Sequence, residues 1–361
     1  MWKFAYFEGE VGVSRLQLVK LVERQPQILA LDLHHRIRPN VAYLKNELNI
    51  PSERLPGILV AVPGLLWFNI EDTLKPKVRW FTIELMLRRN QLRKIILQHP
   101  QVLTLSLEKN VGPKASWLKI VFGIDDLALR DMIVRHPALL LYSIETVIKP
   151  KMSFLRDEVG LEEIRLRKLL VTTPVLFSYN VETMRSKVSY LQEELQFDCE
   201  DVARVISRTP QLLGYRVASM KAKVAFIMQV LHTNSEETSK IISGSPTVLN
   251  LSIEKNLRLK IDLYVNELGG KPEDVRAAIV GTPSALGYSL TKRTRPRMQV
   301  IRLLGIEPTF EDHFWHLTSY TSVRFNRWLE TQVMENLGAE RRGDAEVKSR
   351  MKRYLSILHG N

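Results

Sequence analysis

The chain has 361 residues, 45% of them hydrophobic and 25% charged, with 52 Lys+Arg against 39 Asp+Glu and a formal net charge of +13. Such a composition belongs to a folded chain without the roughly 18-residue apolar run of a membrane span. The single cysteine, Cys199, excludes an intrachain disulfide and a cysteine-built zinc site and is expected as a buried, neutral thiol.

Residues 1–13 form an N-terminal extension, opening Trp2-Lys3-Phe4-Ala5-Tyr6-Phe7-Glu8, that reads as neither signal nor transit peptide. From residue 14 one sentence recurs, punctuated by Pro26, Pro63, Pro100, Pro137, Pro174, Pro210, Pro246 and Pro283, at spacings of 37, 37, 37, 37, 36, 36 and 37. Self-similarity at a fixed period of this length means a stacked repeat array. The predicted fold is all-α: one superhelical solenoid domain over 14–305, made of about eight 36–37-residue helix-turn-helix repeats.

Each repeat opens with a short amphipathic helix. Counting back from the anchor proline, position −8 is Leu18, Leu55, Leu92, Leu129, Leu166, Val202, Thr238 or Val275. Position −5 is Leu21, Ile58, Ile95, Met132, Leu169, Val205, Ile241 or Ala278, and position −4 is Val22, Leu59, Ile96, Ile133, Leu170, Ile206, Ile242 or Ile279. Offsets of i, i+3 and i+4 draw one apolar stripe. The anchor proline then ends the helix, because it pushes the residue before it out of the α region.

A short apolar turn follows, with Leu31, Phe68, Leu105, Tyr142, Tyr179, Tyr215, Leu251 or Tyr288 five residues on. An interchangeable Leu/Tyr slot reads as core rather than as a platform for stacked bases. One residue later stands a helix-capping side chain, Asp32, Asn69, Ser106, Ser143, Asn180, Ser252 or Ser289, with Arg216 the exception. The second helix carries Leu74, Val78 and Phe81 in one repeat and Ile148, Met152 and Leu155 in another on its buried face. Pro39, Pro76, Pro113, Pro150 and Pro296 sit too deep for an uninterrupted helix, so a one-turn segment and a break are expected before the long helix. The fifth and sixth repeats put Ser186 and Ala222 there and are one residue shorter. Beyond the eighth repeat, Phe314-Trp315 and Phe325-Asn326-Arg327-Trp328 mark an incomplete unit over 306–335 that serves as a cap. Residues 336–361 are a charged tail, expected as a frayed amphipathic helix.

The informative charges flank the second proline position. A leading slot on its N-terminal side holds Arg38, Lys75, Lys149, Arg185, Lys221, Arg258 and Arg295, with Gly112 the gap. A trailing slot on its C-terminal side holds Lys77, Lys114, Lys151, Lys187, Lys223, Lys260 and Arg297, with Asn40 the gap. Stacked repeats align equivalent positions, so both slots are expected to form one positive ribbon suited to phosphates, joined in the eighth repeat by Lys292 and Arg293. Cations in a helix's first turn oppose the dipole preference of about 0.3 to 1 kcal/mol per charge, which argues for compensation from outside the protein over the other reading, a solvated helix flank partly paired with glutamates such as Glu71 or Glu254. His99 and His136, each before an anchor proline, read as helix-end cations. No metal-ligand spacing, phosphate loop or nucleophile motif is present in the sequence, so no cofactor, metal or catalytic residue is assigned.

The turn phrase P-x-x-L (Pro26-Gln-Ile-Leu, Pro100-Gln-Val-Leu, Pro210-Gln-Leu-Leu) and the run Leu286-Gly-Tyr288-Ser-Leu290-x-Lys292-Arg293-x-Arg295-Pro296-Arg297 resemble the mTERF family, the mitochondrial transcription termination factors and their plastid relatives, over about Ser14 to Ile306. The resemblance implies a left-handed superhelix of repeats with two α-helices and a 3₁₀ helix each, and a basic groove for double-stranded DNA or structured RNA. It also implies a role in a mitochondrion or chloroplast, in transcription termination or its regulation, RNA processing or ribosome biogenesis. The expected protein is a non-catalytic, monomeric nucleic-acid binder without a membrane segment. The alternative is a helical-repeat scaffold for a protein partner in transcription or organelle ribosome assembly.

Overall fold

The computed structural model describes residues 2–338 and 345–359, and among these every regular element is a helix. The chain divides into two compact units, Met1–Val181 and Glu182–Asn361, parted inside the fifth repeat, where the sequence marks no boundary.

In the first unit a short helix over 2–11 precedes four complete repeats and the first helix of the fifth. The first helices are Arg15–Arg24, Leu55–Ala61, Arg89–Gln98, Asp126–Arg135 and Glu163–Thr172, and the second helices run over 33–47, 70–84, 107–122 and 144–158. The second unit continues with first helices Cys199–Arg208, Ser235–Gly244 and Pro272–Gly281 and with second helices Val217–Leu231, 253–267 and 290–303. The residues expected on the first-helix stripe are buried throughout both units, apart from Val22 and Ala278, which are half-buried.

Each anchor proline opens a single 3₁₀ turn, such as Pro100–Leu103 and Pro283–Leu286. The residue before it is extended, as at Gln25 with φ −150° and ψ 79°, so the helix cannot pass through. Six of the expected caps work as such: Asp32, Asn69, Ser106, Ser143, Ser252 and Ser289 each accept a backbone N–H of the second helix's first turn.

The break expected before the second proline is absent. The second helix is continuous, and its first turn is wound one residue wider, the Ile37 N–H donating to Asp32 O at 3.1 Å and the Arg38 N–H to Leu33 O. This π turn recurs in the second, third, fourth, seventh and eighth repeats, and in the seventh Leu259 replaces the proline. It is missing from the fifth and sixth, whose second helices start as plain α at Val181 and Val217. The thirty-seventh residue is therefore absorbed by a wider turn, the usual way a helix takes up a one-residue insertion. After each second helix the chain turns on one left-handed residue: Asn49, Met86, Gly123, Gly160, Gln196, His232, Gly269 or Gly305.

The second unit closes with helices Phe310–Leu317, Ser322–Leu337 and Ala345–His359. Phe310, Phe314, Leu317, Phe325, Leu329 and Val333 join the core of the seventh and eighth repeats. The tail expected to fray is instead a packed helix over its described part. Val347 and Tyr354 are buried, Met351 and Leu358 pack beside them, and the Tyr354 hydroxyl donates to Leu303 O at 3.4 Å. Their i, i+4, i+7, i+11 spacing is the apolar stripe that seats it. Within the extension and the tail, Met1, 339–344 and 360–361 lie outside the described residues. Cys199 is exposed rather than buried, because it is the first residue of its helix, ahead of the stripe that begins at Val202.

Candidate nucleic-acid interface

The two slots lie two residues apart on one helix, and at about 100° per residue that turns them roughly 200° from each other. They cannot share a ribbon. The structure sends them to opposite sides.

The trailing slot faces inward. In the first unit, Lys77 Nζ donates to Leu103 O at 2.6 Å, Lys114 Nζ to Leu140 O at 2.5 Å, and Lys151 Nζ to Phe177 O. Asn40 completes the series, its Nδ2 donating to Leu65 O at 2.7 Å and Phe68 O at 2.9 Å. In the second unit Lys223 donates to Leu249 O and Lys260 to Leu286 O, both at 2.5 Å. Arg297 Nη1 donates to His316 O at 2.7 Å and Tyr320 O at 2.9 Å, and Lys187 is buried in the equivalent place.

The five lysine-bound carbonyls all belong to the residue three after the next anchor proline. There the 3₁₀ turn ends and leaves an oxygen without a helical partner. A lysine reaching across from the preceding repeat satisfies it. Burial pushes the pKa of Lys77, Lys114, Lys151, Lys187 and Lys223 down, that of Lys260 to about 8 and that of Arg297 to about 10, the last helped by the nearby Arg293 charge. Rings from the turn cover several of these ammonium groups: Phe68 lies 4.9 Å from Lys77 Nζ, Tyr142 5.5 Å from Lys151 Nζ and Tyr215 5.2 Å from Lys223 Nζ. The trailing-slot residues Lys77, Lys114, Lys151, Lys187, Lys223, Lys260 and Arg297 are therefore withdrawn from the phosphate row. The five lysines bound to a carbonyl are clamps between successive repeats.

The leading slot is exposed, and every member meets a glutamate. Arg38 pairs with Glu10 at 2.5 Å, Lys75 with Glu71 and Lys149 with Glu145 at 2.6 Å, in the first unit. In the second, Arg185 pairs with Glu182, Lys221 with Glu194 at 2.6 Å, Arg258 with Glu254 at 2.8 Å, and Arg295 with Glu267 at 3.0 Å. The dipole conflict read from the sequence is thus relieved inside the protein, mostly by an acid one helical turn earlier. Such surface pairs contribute about 0 to 1 kcal/mol each, so the cations can still exchange partners.

One turn before the leading slot, Lys109, Lys255 and Lys292 are exposed. Of these the sequence patterning marks only Lys292; the signal for the others is their shared offset of nine residues from the anchor. Arg293 is half-buried, stacked 3.9 Å over Tyr288 and donating to Tyr320 O at 2.5 Å.

Three arginines that the repeat pattern does not single out cap neighbouring helices. Arg24 donates to Val60 O, Arg135 to Val171 O and Thr172 O, and Arg208 to Gly244 O. Each stands two residues before its anchor proline and serves the carbonyl end of the next repeat's first helix. His136 stands half-buried at the end of its helix, where burial disfavours its charged form. Burial, then the charges of His99 and Lys151, lower its pKa, and its Nε2 lies 3.2 Å from the Tyr142 hydroxyl.

Among the described residues no group of His, Cys, Asp and Glu could hold a metal ion, and no helix is long and apolar enough to cross a membrane. A family model, mTERF, matches residues 5–162 and 156–314. Comparison with curated proteins gives no match.

Proposed function

The chain belongs to the mTERF family, and from that premise we propose that it is a non-catalytic protein that binds double-stranded DNA or structured RNA and regulates organelle gene expression, in a mitochondrion or chloroplast. The observation that carries this reading is the exposed leading slot, a Lys or Arg on the same turn of seven repeats, with the lysines Lys109, Lys255 and Lys292 one turn away. Phosphates bind by displacing the glutamates, since a surface pair costs little to break. Contacts of this kind position a protein on a duplex without reading its sequence. The test is retention on duplex DNA and duplex RNA at rising salt, with Lys149→Glu and Arg258→Glu as variants. Weakened binding to all sequences alike supports the reading, and unchanged affinity rejects the leading slot as the interface.

The second reading is a protein-interaction scaffold. The observation favouring it is the same set of ion pairs, which leaves the leading slot nearly balanced in charge. Elution from both duplexes below physiological salt would favour the scaffold.

A further inference from the structure

Among the described residues, the second unit gathers cations that no carboxylate pairs. In the eighth repeat the position that holds Glu71, Glu108, Glu145, Glu182 and Glu254 in five others is Thr291, and Lys292 and Arg293 come next. Arg293 and Arg297 both donate to Tyr320 O, at 2.5 Å and 2.9 Å, so two guanidinium groups converge on one carbonyl. A third, Arg324, lies 4.1 Å over the Tyr320 ring. His316 packs tilted against Tyr320 and Trp328 at centroid distances of 4.5 Å and 4.4 Å. Among the described residues no carboxylate pairs with Arg293, Arg297 or Arg324, whereas every leading-slot cation has one. Arg293 Nε and His316 Nδ1 are covered and lack a partner.

Three like charges gathered at the edge of a packed core repel one another, and the carbonyls of His316 and Tyr320 offset only part of that. An anion would offset the rest. Guanidinium groups match a tetrahedral oxyanion, and Arg324 is exposed and Arg293 half-exposed while Arg297 forms the inner wall. Stacking on Tyr288 and Tyr320 holds both outer forks in place before a ligand arrives.

We propose that Arg293 and Arg324 beside Tyr320, backed by the buried charge of Arg297, form a phosphate-binding site at the junction of the eighth repeat and the cap, which takes a backbone phosphate of the bound nucleic acid. The identity of the phosphate's carrier rests on the function proposed above; the site itself does not.

Two measurements separate the two. First, inorganic phosphate is titrated against the full chain at constant ionic strength set with chloride, and Tm is read. The wild type rises with phosphate. Arg324→Ala, at an exposed position, leaves it flat, Arg293→Lys reduces the rise because one charge remains but the fork is lost, and the control Lys94→Ala behaves as wild type. Equal rises in wild type and Arg324→Ala overturn the site. Second, duplex affinity is measured against salt. Arg324→Ala weakens binding about tenfold and flattens the log–log slope by about 0.9, the share of one phosphate. A wild type that binds duplex with a slope unmoved by Arg324→Ala overturns the nucleic-acid assignment of the site. A wild type that binds no duplex but shows the phosphate effect overturns that assignment too and retains a site for a free phosphate group.

Discussion

Lys260 Nζ donates to Leu286 O at 2.5 Å across the joint between the seventh and eighth repeats, from a side chain only 1% exposed. Burial lowers its pKa to about 8 from an ordinary value of 10.5. The unfolded chain therefore holds this proton more tightly than the folded one between those two values, and folding stability from this group rises with pH through that window. From pH 7.5 to 9.5 the gain is about 2 kcal/mol, since a proton held by the unfolded chain alone is worth about 1.36 kcal/mol for each pH step of one. Urea unfolding at the two pH values, wild type against Lys260→Met, measures it as the difference between the two proteins. Equal pH responses would refute it.

Trailing and leading slots differ most in what their removal costs. Lys114→Met leaves Leu140 O buried without a donor, and an orphaned buried polar group costs about 1 to 3 kcal/mol. Lys149→Ala removes only an exposed pair with Glu145 and costs less than about 1 kcal/mol. Nucleic-acid affinity should show the reverse order, falling in the second variant and holding in the first at temperatures where both are folded. Chemical denaturation paired with duplex binding checks both halves.

This separation also marks where the sequence stops being legible. The anchor prolines, the stripe at Leu92, Ile95 and Ile96, and caps such as Ser106 are local patterns, and one helix turn suffices to read them. Lys149 and Lys151 read as one face because both flank one proline, although two residues that far apart on a helix point away from each other. The partner of Lys151 is the backbone oxygen of Phe177, 26 residues away, and a carbonyl carries no sequence signature. One trace of it is present: the trailing slot is lysine in six repeats, while the leading slot mixes Lys and Arg freely. A single carbonyl in a tight seam suits a compact ammonium; an exposed carboxylate accepts either head group.

The salt dependence of duplex binding should be shallower than two rows of cations would give. Of the two slots only the leading one, with its seven cations, faces outward. At about 0.9 per neutralised phosphate these seven contribute about −6 to the log–log slope, and the exposed Lys109, Lys255, Lys292 and Arg324 bring the limit to about −10. Including the buried row would take it to about −16. Fluorescence anisotropy with a short duplex across a salt series decides, and a slope near about −16 would restore the trailing slot to the interface.

The left-handed residue closing each second helix gives a test of backbone strain free of packing. Gly160 has φ 78°, is exposed, and a Cβ built there meets nothing within 4 Å. Any cost of a side chain is therefore conformational. A left-handed backbone costs an ordinary residue about 1 to 2 kcal/mol, and Asn less, because its amide bonds locally to the backbone. The equivalent place in the first repeat is Asn49, at φ 52°, and in the second Met86, at φ 50°, so the turn tolerates non-glycine residues at a cost the repeat can carry. Gly160→Ala should lower unfolding stability by about 1 kcal/mol, the strain outweighing the entropy gained in the unfolded chain. Gly160→Asn should lose clearly less. If urea midpoints show the two variants equally destabilised, the backbone account of this position is wrong, and a contact made by the turn must be sought instead.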